Sequence, residues 1–231
     1  MKYSIKVNSI NSKEGSNIKG FATVVFGDSF KITNIAILEN KDKDQLFVSM
    51  PRYKSTERDE NGATIYKDVC NPITAEFREE LYGNILEAYD KFAEPEQSQE
   101  HRIERVQEMP EFSVTVTPYE REGSNIKGLA RVYFDNNFII NNVNILQGKN
   151  NVFVAMPAYK TKQTDEQGKV IFQDVCYPVT KEFRQKLYDE IIQTYEQEKT
   201  KQLDHSQNKS EEKAKEENGF SQTAKYESPF R

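Results

Sequence analysis

The chain has no long apolar run, and among its 231 residues it has only two cysteines and two histidines. Without a run of about 18 apolar residues, no segment is predicted to span a membrane. Residues 1–7 lack the apolar core and small-residue cleavage site of a signal peptide, so we expect a cytoplasmic protein. A disulfide framework would place several cysteines in each small domain. We therefore expect Cys70 and Cys176 to be reduced packing residues.

Strong positive charge is also missing. The formal net charge is −5, which argues against a strongly basic nucleic-acid-binding protein. It leaves room for a local basic face, because phosphates respond to the local field and not to the total charge.

One stretch occurs twice, about a hundred residues apart: residues 47–54 read FVSMPRYK and residues 153–160 read FVAMPAYK. In both copies an alternating apolar run is stopped by proline, which cannot donate to a sheet ladder. The flanking segments also pair, and a period this long indicates duplicated domains, because solenoid units are about 20–50 residues. We assign domain 1 to residues 1–93, a linker to 94–110, domain 2 to 111–198 and a polar tail to 199–231. The tail is rich in Lys, Glu, Ser and Gln, so we expect it to be disordered.

Each copy begins with strand patterns. In the first copy Tyr3, Ile5 and Val7 alternate with polar residues, and residues 21–26 and 30–38 predict a hairpin around a turn at 27–29. Residues 46–50 predict a short strand. The polar segment 52–63 is either a long hairpin loop or a mobile arm, and residues 64–70 are expected to return to the sheet.

The periodicity changes to helical after Pro72. Thr74 is a plausible N-cap, and apolar residues follow at every fourth position: Phe77, Leu81, Ile85 and Tyr89. Residues 180–195 repeat this pattern. Such a stripe needs a sheet to cover. The predicted fold class is α+β: two tandem domains, each a small antiparallel sheet covered by a C-terminal helix.

Neither repeat suggests catalysis. His101 lies in the linker and His205 in the tail, so neither domain has a His-dependent site. One cysteine per domain is too few for structural zinc, and no dinucleotide or P-loop motif occurs. The Asp-Glu pairs at 59–60 and 165–166 are interpreted as solvated loop residues. We expect no enzyme, no metal and no cofactor.

The loop Gly-Ser-Asn-Ile-Lys-Gly occurs at residues 15–20 and 123–128. Its backbone amides could hold a phosphate. The alternative is a tight connection that needs glycine at positive φ, with Lys19 and Lys127 directed to water.

The segment after each Met-Pro is the best functional candidate. Basic residues there could contact phosphates and tyrosines could stack on exposed bases. Alternatively, the tyrosines cap the sheet edge and the lysines are solvated. The candidate nucleic-acid-binding residues are Arg52, Tyr53, Lys54, Tyr159, Lys160 and Lys162.

Three blocks, in order and twice, resemble the SpoVG family (stage V sporulation protein G, the septation regulator). They are an F-V-x-M-P block, a D-x-x-x-P-[IV] block and a helix with spaced Arg, apolar residues and Tyr. In this sequence they occupy Phe47–Pro51, Asp68–Ile73, Arg78–Tyr89, Phe153–Pro157, Asp174–Val179 and Arg184–Tyr195. The resemblance covers nearly all of both repeats.

The resemblance implies a small antiparallel sheet plus helix that dimerises through the sheet. It also implies a bacterial cytosolic regulator that binds DNA or RNA and influences septation and sporulation. Two features depart from the family: Ala158 leaves the second copy one basic residue fewer than Arg52 gives the first, and Asn71 and Tyr177 replace a common histidine. We expect the fused domains to form an internal pseudo-dimer that binds nucleic acid, with further homo-oligomerisation possible. The alternative is a protein–protein interaction module that has lost nucleic-acid binding.

Overall fold

The computed structural model describes residues 1–10, 15–93, 109–119 and 121–220. Most of the linker predicted at 94–110 lies outside these residues. The first repeat contains β1 (Tyr3–Ser9), β2 (Ile18–Phe26), β3 (Phe30–Asn40), β4 (Gln45–Ser49), β5 (Arg52–Arg58), β6 (Thr64–Asp68), β7 (Cys70–Pro72) and α1 (Ala75–Ala93). The second contains β8 (Phe112–Pro118), β9 (Ile126–Phe134), β10 (Phe138–Gln147), β11 (Val152–Ala155), β12 (Ala158–Thr164), β13 (Val170–Asp174), β14 (Cys176–Pro178) and α2 (Lys181–Phe220).

Each repeat builds an antiparallel sheet, and the predicted α+β class is confirmed. In the first sheet β1, β2 and β3 are consecutive neighbours, and β4 also pairs with β3. In the second, β8, β9 and β10 follow the same order, with β11 on β10. The predicted hairpin turns hold residues of positive φ, including Asp28 at 51° and Asn136 at 51°. This conformation suits Asp, Asn and Gly.

The two repeats exchange short strands. Strand β7 of the first repeat pairs with β10 of the second, and β14 of the second pairs with β3 of the first. Hydrogen bonds flank each exchanged strand: the Val69 carbonyl accepts from the Asn141 amide at 2.8 Å, and the Ile73 amide donates to the Asn137 carbonyl at 2.8 Å. Residues 64–70 therefore do not return to their own sheet, which corrects that expectation. Residues 64–68 pair with β5, and residues 70–72 complete the other sheet.

The core is shared between the repeats. Phe26 lies 5.1 Å from Phe138 and Phe30 lies 4.9 Å from Phe134, measured between ring centroids. These separations are in the range of favourable aromatic pairs. Cys70 and Cys176 are buried free thiols, as predicted for packing residues. Burial, and then a hydrogen bond between the two thiols, raises the pKa of Cys70 well above its usual value.

Both helices cover their sheets with the predicted stripe. Phe77, Leu81 and Ile85 are buried, as are their counterparts in α2. The N-caps are present, because the Thr74 and Thr180 hydroxyl oxygens accept hydrogen bonds from the amides of Phe77 and Phe183. Among the helices that the structure describes, none is long and apolar enough to cross a membrane.

Helix α2 differs from the prediction at its C-terminal end. Residues 199–220, expected to be disordered, continue the helix. Glu, Lys and Gln have high helix propensity, and pairs three or four residues apart support a helix that buries little. Lys201 forms such a pair with Glu198 at 2.7 Å. Residues 221–231 of the predicted tail lie outside the described residues.

The repeated glycine loop has two structural requirements. Gly15 and Gly123 have φ of 91° and 75°, which a side chain would strain. At Gly20 an added Cβ would lie 2.7 Å from the Asn8 carbonyl oxygen and 3.1 Å from the Tyr89 ring. Lys19 is partly exposed to water, and it also pairs with Glu39 at 2.9 Å.

Because the core is shared, we expect one cooperative unfolding transition for both repeats. Leu81→Ala and Leu187→Ala, at fully buried positions, should each lower the free energy of unfolding by about 2–5 kcal/mol. Glu79→Ala, on the exposed side of α1, is the control and should change it by less than about 0.5 kcal/mol. Chemical denaturation followed by circular dichroism measures all three. Two separated transitions would contradict the shared core.

Candidate nucleic-acid interface

Two β-hairpins project from the sheets immediately after the Met-Pro dipeptides. We name them arm 1, residues 52–68 (β5 and β6), and arm 2, residues 158–174 (β12 and β13). Each arm is closed at its base, where the Val69 and Val175 amides donate to the carbonyls of Pro51 and Pro157, both at 2.8 Å. The exchanged strands follow directly, so each arm is anchored on the sheet of the other repeat.

The cross-strand register sorts the predicted residues of arm 1 onto two faces. Arg52 and Lys54 lie opposite Asp68 and Tyr66, whereas Tyr53 lies opposite Lys67. Side chains directly opposite each other share a face, and adjacent residues of a strand alternate. Arg52 and Lys54 are thus on one face and Tyr53 on the other. Arg52 Nε is engaged by Asp68 at 2.8 Å, which leaves Lys54 as the more available cation.

Arm 2 has the same organisation. Lys160 lies opposite the exposed Phe172, while Tyr159 lies opposite Gln173 and donates a hydrogen bond from its hydroxyl to that side chain at 2.7 Å. Lys162 is exposed in the stretch where the ladder register shifts. The structure therefore brings Lys160 together with Phe172 and separates it from Tyr159.

Tyr66 and Phe172 are candidate site residues that the sequence pattern did not single out. They occupy equivalent positions in the repeats and are 60% and 65% exposed. A large aromatic side chain in water is a candidate stacking surface. The sequence contains one signal for them: in both repeats an aromatic residue stands three positions before a Val-Cys dipeptide. The expectation that residues 64–70 rejoin their own sheet hides this signal, because it places the aromatic side chain in a sheet and not on an arm.

The charge on the arms is balanced. Arm 1 contains four basic and four acidic residues, and arm 2 contains three of each. Any affinity for phosphate must therefore come from local placement, such as a lysine beside an aromatic, and not from the total charge of an arm. Among the described residues, no cluster of His, Cys, Asp and Glu is suited to a metal ion.

The bases of the arms differ in one ion pair. Ala158 replaces Arg52, so Asp174 lacks the partner that Asp68 has. Burial raises the pKa of Asp174, and the charge of Arg184 offsets part of this. Nearby, burial also raises the pKa of Tyr82 and Tyr188. The duplicated sites are thus electrostatically unequal.

The family model for SpoVG matches residues 1–91 and 109–197. Both matches include the exchanged strands, the arms and the helical stripe. The chain belongs to the SpoVG family.

Relatives in this SpoVG family match the chain one repeat at a time. A protein of Thermoanaerobacter sp. (strain X514) is 31% identical over 94 residues, which are 41% of this chain and 95% of that protein. One of Treponema denticola is 36% identical over 77 residues, which are 33% of this chain and 74% of that protein. Both carry the name "Putative septation protein SpoVG". This SpoVG chain therefore holds in one polypeptide two copies of what these relatives hold once.

Ala158→Arg should restore the missing ion pair with Asp174. The expected gain in the free energy of unfolding at pH 7 is about 0.2–1 kcal/mol, the range for exposed pairs. The matched change Arg52→Ala should cost a similar amount, because it removes the existing pair. Thermal unfolding in low salt measures both. A gain that persists in about 1 M salt would show that charge is not its cause.

The raised pKa of Asp174 also predicts a pH dependence. The folded state binds this proton more tightly than the unfolded state does. The resulting stability is present below the unfolded pKa of about 4 and is lost as pH rises through the folded pKa. Asp174→Asn should therefore gain stability relative to the wild type between about pH 4 and pH 7. A constant difference across this range in denaturation experiments would contradict the shift.

Proposed function

We propose that this SpoVG-family protein is a bacterial regulator that binds nucleic acid through its two arms, with the repeats acting as an internal pseudo-dimer. The proposal includes a role linked to septation, which rests on the names of its relatives. It includes no catalytic activity and no cofactor. A cytoplasmic location is part of the same proposal.

The observation that carries the proposal is the strand exchange. Residues 70–72 and 176–178 each complete the sheet of the other repeat. The thiols of Cys70 and Cys176, which begin these strands, interact with each other, so the two exchanged strands approach each other in the buried core. A single residue separates the end of each arm from the exchanged strand that follows it. Two equivalent arms therefore start close to one centre, as two subunits of a symmetric dimer would arrange them.

The arms have the chemistry that a nucleic-acid contact needs. Lys54 with Tyr66, and Lys160 with Phe172, each combine a cation and an exposed aromatic on one face. A lysine can neutralise a phosphate, and an aromatic ring can stack on an unpaired base. One such pair is weak, but two pairs on a single rigid body raise the effective concentration of the second contact.

The second candidate is a protein–protein interaction module. The balanced charge of the arms favours it, since acidic residues accompany the lysines in both arms. Exposed aromatic residues are also common at protein interfaces. The two candidates differ in salt dependence, because release of counterions from nucleic acid gives a steep dependence on salt.

Lys54→Ala combined with Lys160→Ala should weaken binding to nucleic acid of any sequence, because phosphate contacts carry no base information. The slope of log K against log salt should fall by about 0.7–0.9 for each lysine that meets a phosphate. Fluorescence anisotropy with labelled duplex and single-stranded oligonucleotides, at several salt concentrations, measures this. Lys67→Ala is the matched control, since Lys67 is on the opposite face of arm 1 and is paired with Glu57 at 2.7 Å.

Equal losses of affinity in the control and in the double variant would show that this face of the arms is not the contact surface. If the wild type binds neither duplex nor single strands at low salt, the nucleic-acid function is wrong. The interaction module then becomes the better explanation.

A further inference from the structure

The sheets concentrate basic residues in an acidic protein. The described strands of the two five-stranded sheets contain one acid, Glu39, although the whole chain has 37 Asp and Glu. That acid is paired with Lys19. The same strands contain five basic residues: Lys6, Lys19, Lys31, Lys127 and Arg131. The acidic residues therefore lie outside these strands, and the strands of the two sheets carry an excess of positive charge.

In the first sheet the basic residues share the outward face with aromatic residues. Inward residues such as Ile5, Val24 and Ile32 are buried in the shared core, and their neighbours point away. Outward positions include Lys6, Phe21, Lys31, Phe47 and Tyr177. We name this set the outer face. Phe47 is 42% exposed, and Phe21, Lys31 and Tyr177 are partly exposed.

The register makes the outer face a continuous surface across both repeats. Lys31 lies opposite Tyr177 on the exchanged strand, with its ammonium nitrogen 5.9 Å from the ring centroid. Phe21 lies opposite Ala36, and Phe47 lies opposite Leu38 in the adjacent outward row. Such rows are about 7 Å apart along a strand. No ion pair joins Lys6 or Lys31 to another described residue.

We infer that the outer face is a binding platform for single-stranded nucleic acid, with bases stacked on Phe21, Phe47 and Tyr177 and phosphates near Lys6 and Lys31. Charge complementarity selects this occupant, because Lys6 and Lys31 face outward on a sheet whose one acid, Glu39, is paired with Lys19, and an excess of positive charge suits an anionic ligand. An open sheet with aromatic side chains accepts unpaired bases, whereas paired bases have no face to offer it. A second copy of the same face would be repelled by its like charge. The inference rests on the proposed function, since it assigns another contact surface to the same class of partner.

The second sheet offers an internal control. Leu129, Ile139 and Asn71 occupy the positions of Phe21, Lys31 and Tyr177 there. The equivalent surface therefore lacks the aromatic rings at the positions of Phe21 and Tyr177 and the cation at the position of Lys31, although Arg131, Tyr133 and Phe153 are outward there. The pairing of Lys31 with Tyr177 is specific to the first sheet, and Leu129 and Ile139 supply matched control positions.

The test uses the full chain and a labelled single strand of about 12 nucleotides. Phe21→Thr with Phe47→Thr should weaken binding at least five-fold, roughly the loss of one stacked base, without changing the salt slope. Lys6→Thr with Lys31→Thr should lower that slope by about 1.4, from 0.7 per single-strand phosphate contact. Leu129→Thr with Ile139→Thr should match the wild type. Threonine suits an exposed strand position, so each variant keeps a residue compatible with the sheet.

Ultraviolet cross-linking of the wild type, with mapping of the modified peptides, tests the platform without any variant. Cross-links on residues 18–26 and 176–178 support it. Unchanged affinity of the outer-face variants, while Lys54→Ala with Lys160→Ala loses binding, overturns the platform and keeps the proposed function. No binding by the wild type at low salt overturns both. Equal effects of the outer-face and second-sheet variants also overturn the platform.

Discussion

The exchange of two three-residue strands is the constraint on which the rest of the structure depends. Residues 70–72 and 176–178 are too short to form a sheet with neighbours of their own, and each is held by a ladder and flanking hydrogen bonds on the other repeat. Proline ends both segments and supplies no amide to extend the ladder. The chain then turns into a helix, which packs over the sheet of its own repeat. Core, arms and helices therefore take their positions from this one exchange.

Local structure was predictable because each element carries its own signal. Alternation at Tyr3, Ile5 and Val7 and the four-residue spacing from Phe77 to Ile85 follow directly from burial of one face, and both agree with the structure. The exchange was not predictable from one sequence. Residues 64–70 read as a strand in either case, and hydrophobic pattern identifies the buried side of a strand but not its partner. The same limit hid Tyr66 and Phe172, whose exposure follows only from the partners that β6 and β13 adopt.

Residues 199–220 of the tail form a helix where disorder was expected from composition. A polar composition predicts that a segment buries little apolar surface, but it does not exclude a helix. A helix that continues from a packed segment avoids the cost of nucleation, since the first turns are already formed by residues 181–198. Strong helix formers and close pairs such as Glu198 with Lys201 then suffice to extend it. A polar composition therefore does not decide between a disordered segment and a helix.

Duplication within one chain allows the two halves to diverge in ways that a dimer of identical subunits cannot. Arg52 and Ala158 give the two arms unequal ion pairs, and Phe21 and Leu129 give the two sheets unequal outward faces. In a homodimer, any change that weakened one site would weaken both. Here the buried exchange keeps the repeats structurally equivalent, while exposed positions carry the differences. The core therefore records the shared architecture, and the surface of the first repeat, with its aromatic and basic residues, is where a specialised contact is physically allowed.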